Sequence, residues 1–223
     1  KDGQFGEGWY TSWVETATRE DSAAVKRSED YEGFSATYGY FEARCIAPPC
    51  EGIWSAFWLM PDESTGMSSD DVQGTGADGV EIDVMESPWK SFQKDQEANV
   101  HVLHGYSATK SEKSPMYRVP DMYSEFHTYG VLWTEEEYVF YIDGAETWRT
   151  KHTVNGKTLG VSKVNEYMLL TVEVAGYTAE DGTPVPGINA DGTPFWCGDP
   201  MKNDKTKHYD FIIDYVRVYR KGA

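Results

Sequence analysis

Residues 79–87 read Gly-Val-Glu-Ile-Asp-Val-Met-Glu-Ser, which places three carboxylic acids within an otherwise apolar run. The β-branched residues of this stretch predict a β-strand. Alternate side chains of a regular strand share a face, so Glu81 and Asp83 would point one way and Glu86 the other. One extra residue, a β-bulge at Val84-Met85, would instead place all three acids on one face. We expect that bulge, with Ile82 and one of Val84 and Met85 in the core behind it.

The rest of the chain continues this pattern of short strands separated by turns. Runs rich in Val, Ile, Tyr and Phe alternate with clusters of Gly, Asp, Asn and Pro, which is typical of an all-β protein. The Asp143-Gly144 pair predicts a hairpin, because these residues tolerate the positive φ angles of a tight two-residue turn. The predicted strands include Tyr38–Arg44, Val80–Met85, Val100–Leu103, Tyr138–Ile142, Tyr167–Val174 and Phe211–Tyr219.

Two long segments rich in Gly and Asp, Pro61–Gly79 and Ala179–Lys207, are predicted to be loops. Ordered loops of such length on a rigid sheet often shape a binding cleft. We found no internal repeat and no shift in composition that would mark a second domain. We therefore expect residues 1–223 to form a single domain.

The composition argues against two classes of partner. The chain carries 20 Lys and Arg against 37 Asp and Glu, a net charge of −17 that repels nucleic-acid phosphates and anionic lipids. It has no apolar run of the ~18 residues that suggest a transmembrane helix, and no signal peptide is visible at Lys1. We expect a monomer with no nucleic-acid or membrane partner. The 8 Trp and 15 Tyr offer flat faces that suit sugar rings, although packing in a β-protein core accounts for most of them.

The three cysteines leave three interpretations open. Cys45 bridges to Cys50 across a short turn, or Cys50 bridges to Cys197, or all three are buried thiols. An odd number leaves one thiol over in any pairing within the chain.

Glycoside hydrolysis gives a strand with three acids a chemical purpose. Retaining enzymes need two carboxyl groups roughly 5–5.5 Å apart, one as nucleophile and one as general acid/base. Glu81 and Glu86 can converge on one bond, with Asp83 between them holding a proton or hydrogen bond. The negative charge of Asp83 would help to keep Glu86 protonated. The alternative is a solvated acidic face or a calcium loop, but a calcium loop usually lacks β-branched spacers such as Ile82 and Val84.

Several ordered motifs accompany the acids. They are Tyr38–Arg44, Gly52–Pro61, Phe126–Thr134, Tyr138–Gly144 and Asp214–Tyr219. Together with Glu81–Glu86, which matches a Glu-x-Asp-x-x-Glu signature, they resemble glycoside hydrolase family 16, the family of laminarinases, mixed-linkage β-glucanases and agarases. The signature is in the bulged form typical of laminarinase-like and agarase-like members. The resemblance covers roughly Phe34 to Tyr219, whereas Lys1–Glu32 does not clearly match the family's first strands.

The resemblance implies an antiparallel β-sandwich, a jelly roll of the concanavalin-like type, with a concave substrate cleft. It also implies hydrolysis by double displacement with net retention. In that mechanism Glu81 matches the nucleophile, Asp83 the assisting acid and Glu86 the acid/base. No cofactor would be required for catalysis.

The resemblance further implies residues that bind substrate or metal. Trp54 and Trp58 match Trp positions that stack on sugars near the cleaved bond. A strand His beside the acid/base matches His101 or His104, and we favour His101 because it lies within the strand. Family members often bind a structural calcium on the convex face, and Asp214 is the candidate ligand here.

Four residues are weighed from their local sequence. Trp89 either floors a sugar subsite or anchors a loop. Arg44 either hydrogen-bonds a sugar hydroxyl or pairs with a surface acid such as Glu42. Glu173 either binds sugar hydroxyls in the cleft or is a salt-bridged structural acid. For Trp196, in the second predicted loop, packing is the favoured interpretation.

The activity implied is endo-hydrolysis of β-1,3-glucan or mixed β-1,3/1,4-glucan by a secreted, periplasmic or cell-surface enzyme that acts on polysaccharide. One alternative keeps the mechanism and changes the polymer to a β-galactan of the agar or mucin type. Another is transglycosylation, and a third is a non-catalytic lectin-like domain on the same sandwich. The acids on one strand favour an enzyme, because a lectin needs neither a nucleophile nor an acid.

Overall fold

The computed structural model describes residues 11–17, 32–61, 79–88, 97–105, 109–174 and 176–220. These residues form β-strands joined by turns, with one short 3-10 turn at Pro200–Lys202. No helix within them has the length and apolarity needed to cross a membrane. The strands are β1 (Trp13–Glu15), β2 (Ser35–Ala36), β3 (Gly39–Ile46), β4 (Ile53–Pro61), β5 (Glu81–Pro88), β6 (Ala98–His104), β7 (Glu112–Lys113), β8 (Tyr117–Arg118), β9 (His127–Trp133), β10 (Tyr138–Ile142), β11 (Ala145–Thr150), β12 (Thr153–Val154), β13 (Lys157–Thr158), β14 (Glu166–Val174), β15 (Gly176–Thr178), β16 (Pro184–Pro186) and β17 (Ile212–Tyr219).

Most of these strands belong to two antiparallel sheets. The front sheet has eight strands in the order β1-β14-β4-β5-β6-β7, with β2 paired to β14 and β8 paired to β6. The back sheet has five strands in the order β11-β10-β9-β3-β17. Two small hairpins, β12-β13 and β15-β16, lie outside both sheets. The predicted antiparallel β-sandwich is confirmed.

One hydrophobic core joins the two sheets. Successive side chains of a strand point to opposite faces, and on β3 the side chains of Phe41, Ala43 and Cys45 are buried while their neighbours are not. Each fully buried side chain of Leu or Phe size stabilises the fold by about 1.5–3 kcal/mol. This burial fixes which face of each front strand is turned away from the core. The largest core side chains from the two sheets include Phe57, Leu59, Ile82, Met85 and Leu103 in front and Phe41, Tyr129, Trp133, Tyr138 and Phe140 behind.

The predicted hairpin is present. Residues Tyr138–Ile142 form β10 and pair with β11 across a two-residue turn. Asp143 and Gly144 have φ angles of 50° and 74°. Positive φ at both central positions defines the turn type whose twist matches the flanking strands.

The other predicted strands are found within a few residues of their predicted bounds. In the first predicted loop, residues 62–78 lie outside the described residues. The second, Ala179–Lys207, is more regular than expected, since it contains β16 and the 3-10 turn.

The three cysteines are buried thiols, and neither of the candidate bridges is formed. Burial raises the pKa of Cys45 to about 12, and burial together with the charge of Glu51 raises that of Cys50 to about 11. Cys45 Sγ lies 3.7 Å from Met85 Sδ, directly behind the strand that carries the three acids.

Glu166 is a carboxylic acid with no solvent exposure at the start of β14. Its Oε1 accepts a 3.4 Å hydrogen bond from the backbone N–H of Val80, just before β5. Its Oε2 is buried as well. Burial raises the pKa of Glu166 to about 8, hydrogen bonds with Ser162 and with the backbone N–H of Val80 lower it, and the charge of Glu81 raises it. A buried carboxyl group whose pKa is raised in the folded state makes the free energy of unfolding depend on pH.

The substitution Glu166→Gln is expected to flatten that dependence. Between its unfolded pKa of about 4.5 and its folded pKa of about 8, Glu166 loses its proton in the unfolded chain but keeps it in the folded chain. The free energy of unfolding therefore falls as the pH rises through this window. Between pH 5 and pH 8, we expect the fall in the free energy of unfolding to be smaller in the variant than in the wild type, by on the order of 1–3 kcal/mol. Chemical denaturation at both pH values measures this. The exposed control Glu136→Gln should behave as wild type, and an unchanged fall in Glu166→Gln would contradict the assignment.

Candidate active site

The predicted bulge is present in β5, and its register shows where the extra residue lies. On the β6 side, Asp83 is opposite Val102 and Glu86 is opposite Val100, so three steps on β5 correspond to two on β6. On the β4 side, Met85 is opposite Phe57 and Asp83 is opposite Trp58, so Val84 is the inserted residue. The prediction of a bulge at Val84-Met85 is confirmed.

The bulge brings the three acids to one face of the front sheet. Residues directly opposite each other in an antiparallel pair share a face. Trp58 is opposite Asp83, and Ala56, two residues earlier on β4, is opposite Glu86. Glu81 precedes Asp83 by two residues in regular strand and so lies on the same side. The side chains of Ile82, Val84 and Met85 are fully buried in the core behind. We call the outward side of the front sheet that carries these acids the carboxylate face.

A fourth acid joins the carboxylate face from β14. Glu173 is opposite Trp54, which alternates with Ala56 and Trp58 on β4. The charge of Glu173 raises the pKa of both Asp83 and Glu86. Burial raises the pKa of Glu173. Of the two interpretations of Glu173, the structure favours the acid in the cleft.

The environment makes Glu86 a weak acid. Burial raises its pKa to about 7, the charge of Lys113 lowers it, and the charges of Glu81 and Glu173 raise it. Lys113 is opposite Val102, which in turn is opposite Asp83, so it lies at the β7 edge of the same face. A carboxyl with a pKa near neutrality can hold a proton and release it at physiological pH.

Asp83 lies deeper than its neighbours and is only 6% exposed. Burial, followed by the charges of Glu81, Glu86 and Glu173, raises its pKa well above the usual range. These influences favour the protonated form of Asp83, whereas the sequence analysis assigned it a negative charge that keeps Glu86 protonated. The influences that raise the pKa of Glu86 are burial, Glu81 and Glu173. A protonated Asp83 retains the other predicted role, because its O–H can donate a hydrogen bond between the two glutamates.

The histidine prediction is wrong for His101. Its side chain is fully buried on the core side of β6, with the ring stacked 4.7 Å from that of Phe140. Its Nδ1 lies 2.7 Å from the carbonyl oxygen of Val84, and its Nε2 lies 2.9 Å from Thr147 Oγ1. A carbonyl only accepts, so Nδ1 carries the proton and donates to the bulge. Burial lowers the pKa of His101 to about 4, which keeps the ring neutral.

His104 is the histidine that shares the carboxylate face, because it is opposite Glu81. Its Nδ1 lies 3.4 Å from Ser111 Oγ, and burial lowers its pKa. The sequence could not separate the two histidines, since a spacing of three positions puts them on opposite faces of the strand but does not say which face is outward.

The two predicted tryptophans both lie on the carboxylate face, and each contacts other aromatic rings. Trp58 donates from Nε1 to Thr171 Oγ1 at 3.1 Å and meets Trp13 edge to face at 5.6 Å. Trp13 is 41% exposed and lies opposite Thr171 through β1, a contact that the sequence analysis missed. Trp54 packs against two aromatic side chains from the second predicted loop, at ring distances of 6.0 and 5.1 Å.

Arg44 and Asp214 do not belong to this site. Both lie on the back sheet, where Arg44 forms an ion pair with Asp214 and covers the ring of Phe126 at 4.4 Å. Of the two interpretations of Arg44, pairing with a surface acid is the one observed. Because the guanidinium of Arg44 already pairs with the carboxylate of Asp214, it disfavours a cation there. The described residues contain no group of three or more His, Cys, Asp or Glu side chains that could hold a metal ion. The structural calcium at Asp214 stays a prediction. Trp89 lies outside the described residues.

The family model for glycosyl hydrolases family 16 matches residues 11–187. The endo-1,3-1,4-beta-glycanase ExsH of Rhizobium meliloti (strain 1021) is 36% identical over 190 residues, which cover 83% of this chain and 33% of that protein. The beta-glucanase of Rhodothermus marinus is 30% identical over 251 residues, which cover 96% of this chain and 77% of that protein. The chain spans about a third of the length of ExsH and of EglC, a second glycanase from the same Rhizobium strain.

Solved structures resemble the same sandwich. The laminarinase catalytic domain from Thermotoga maritima MSB8 aligns with a TM-score of 0.58 at 22% identity, covering 95% of this chain and 78% of that one. The endo-1,3-beta-glucanase catalytic domain from Thermotoga petrophila RKU-1 aligns with a TM-score of 0.57 at 24% identity, covering 86% and 67%. These likenesses confirm the jelly-roll fold. With the family match over residues 11–187 and relatives at 30% and 36% identity, the chain belongs to glycosyl hydrolase family 16.

Proposed function

We propose that this protein is a retaining endo-β-glucanase that hydrolyses β-1,3-glucan or mixed β-1,3/1,4-glucan. The observation that carries the proposal is the bulge in β5, which brings Glu81, Asp83 and Glu86 onto one face. Two relatives are named endo-1,3-1,4-beta-glycanase and one beta-glucanase, which supports a β-glucan as the substrate.

The proposed reaction uses the two glutamates in two steps. Glu81 attacks the anomeric carbon and forms a glycosyl ester, while Glu86 transfers its proton to the oxygen of the leaving sugar. Glu86, now ionised, then takes a proton from water as the water attacks the ester, and Glu81 leaves as a carboxylate. The raised pKa of Glu86 suits it to this exchange, since it starts the cycle protonated. In its protonated form, which its raised pKa favours, Asp83 would donate a hydrogen bond to the carboxylate of Glu81 and stabilise its charge.

The remaining features follow from the polymeric substrate. A polysaccharide too large to enter a cell implies action outside the cytoplasm, so we propose a secreted, periplasmic or cell-surface protein. The proposed chemistry is carried by carboxyl groups and involves no cofactor. We also propose that the protein acts as a monomer, because the acids, Trp54 and Trp58 all come from one chain.

Removing the nucleophile should separate cleavage from binding. Glu81→Ser is expected to lower kcat by about 10⁴-fold or more, in the range found when a member of a catalytic unit is removed, while polysaccharide binding persists. Reducing-end release and product size should be measured on laminarin, barley β-glucan, lichenan, agarose and a mucin glycan. The exposed control Glu136→Gln should cleave as wild type.

Each other outcome of this panel overturns a stated part of the proposal. Cleavage of the galactans alone would keep the mechanism and replace the substrate. Binding without cleavage by the wild-type protein would favour the lectin-like alternative. Unchanged cleavage by Glu81→Ser would contradict the mechanism.

The pH profile should report Glu86 and respond to Lys113. Because Glu86 must be protonated to act as the acid, kcat/KM is expected to fall as the pH rises through about 7. Lys113→Met removes a charge that favours the ionised form of Glu86, so the basic limb should move to higher pH. The expected movement is roughly 0.2–0.7 pH unit, the equivalent of the ~0.2–1 kcal/mol typical of an exposed charge pair.

Two further variants serve as controls for the pH profile. Lys113→Arg keeps the positive charge, so the basic limb of its pH profile should lie at the same pH as that of the wild type. Lys205→Met removes an exposed charge from the turn before β17 and should leave the limb in place. A limb that moves equally in Lys113→Met and Lys205→Met would show a general charge effect and contradict the specific one.

A further inference from the structure

The segment between β14 and the 3-10 turn is built from two copies of one turn. The sequence Asp-Gly-Thr-Pro occurs at residues 181–184 and again at 191–194, a repeat that the sequence analysis missed. In each copy the Asp carboxylate accepts a 2.9 Å hydrogen bond from the backbone N–H of the Thr two residues later. In each, the backbone N–H four residues before the Thr donates to the Thr carbonyl, at 2.9 and 2.8 Å. We call residues 176–203 the double-turn arm.

Glu51 fastens the end of the double-turn arm to the start of β4. Its Oε1 accepts hydrogen bonds from the backbone N–H of Asp199 at 3.2 Å and from Lys202 Nζ at 2.8 Å. Its backbone N–H and carbonyl both bond the side-chain amide of Asn203, at 2.9 and 2.7 Å. Gly198 packs so closely that an added Cβ would lie 2.7 Å from Glu51 Cγ. These contacts hold the arm in one position.

The fastened arm presents two aromatic rings to Trp54. Phe195 stacks on Trp54 with 6.0 Å between ring centroids and 12° between planes. Trp196 lies 5.1 Å from Trp54 and 6.1 Å from Phe195. All three side chains are half-buried and keep part of their surface accessible. The three rings therefore form one continuous aromatic surface rather than an isolated Trp.

This surface adjoins the carboxylate face at one end of the acid row. Trp54 lies opposite Glu173 and Pro88, while Asp83 is opposite Trp58, four residues further along β4. Four residues of strand span roughly 13 Å, which is longer than one sugar ring. Flat aromatic faces with a polar edge suit the apolar faces of neutral sugars.

We propose that Trp54, Phe195 and Trp196 form a preorganised platform that binds a sugar unit away from the cleaved bond and selects long neutral polysaccharide chains over short ones. This inference rests on the proposed function and adds Phe195 and Trp196 to the residues that determine specificity. Because Glu51 holds the arm before substrate arrives, little ordering entropy is lost on binding. Short substrates that occupy only the positions next to the acids gain nothing from the platform.

The test compares chain lengths. For Trp196→Ala and Phe195→Ala, kcat/KM is measured on a soluble β-glucan polymer and on the shortest oligosaccharide that the wild type cleaves. We expect a loss of about tenfold on the polymer and less than about twofold on the oligosaccharide, with kcat on the short substrate unchanged. Trp196→Phe keeps a flat ring and should recover most of the polymer activity. Thermal unfolding of each variant confirms that the sandwich is intact.

Two variants away from the platform complete the design. Tyr219→Ala removes an aromatic ring that is 50% exposed on the back sheet, and kcat/KM should stay unchanged on both the polymer and the oligosaccharide. Glu51→Gln weakens the fastening without touching a ring and should lower polymer activity in the same direction as Trp196→Ala. Equal losses on both substrates, or no loss on the polymer, would overturn the platform.

Binding measurements distinguish failure of the platform from failure of the proposed function. If the wild-type protein cleaves no β-glucan, the glucanase proposal fails, and tryptophan fluorescence with added soluble β-glucan then judges the platform. Quenching by the polymer in Glu81→Ser that is lost in Glu81→Ser/Trp196→Ala supports the platform. Identical quenching in both overturns it.

Discussion

The site depends on the extra residue in β5. A strand alternates its side chains strictly, so without Val84 as an insertion Glu86 would face the core, where an ionisable group is costly. The insertion leaves a carbonyl of Val84 that His101 binds through Nδ1 at 2.7 Å. The other ring nitrogen of His101 lies near Thr147 of β11, so the irregularity in the front sheet is tied to the back sheet. His101, which its position in the strand led us to prefer over His104 for the place beside the acid, thus supports the strand from behind.

Crowding of acids is the second constraint, and it follows from the first. Once Glu81, Asp83, Glu86 and Glu173 share one partly buried face, they cannot all be ionised, because each charge opposes the next. The depth of each group decides how strongly it is affected: the pKa of Asp83, the most buried of the four, is raised well above its usual range, and that of Glu86 is raised to about 7. The positive charge of Lys113, at the β7 edge of the carboxylate face, lowers the pKa of Glu86. Asp83, Glu86 and Glu173 therefore differ from ordinary carboxyl groups because of their burial, and Asp83 and Glu86 also because of their charged neighbours.

The sequence predicted local features better than long-range ones. The spacing of the acids indicated the bulge, and Asp143-Gly144 indicated its hairpin, because both are set by backbone geometry over a few residues. The assignment of Arg44 to the site failed, since no local pattern says that β3 joins the back sheet. His101 was preferred to His104 because the sequence predicted where the strand lies but not which of its faces is turned away from the core. Trp13 and Lys113 lie on very short strands, whose sequences hold no periodicity from which pairing to β14 or β6 could be predicted.

The thiols behind the site have a chemical consequence. The thiolate is the reactive form of cysteine, and with pKa values of about 12 and 11 Cys45 and Cys50 form almost none of it at neutral pH. Cys197 is fully buried as well. Oxidants and alkylating reagents therefore meet a folded surface without an accessible sulfur at these positions. The sandwich stays inert toward thiol exchange while it is folded, and modification of these sulfurs becomes a marker of unfolding.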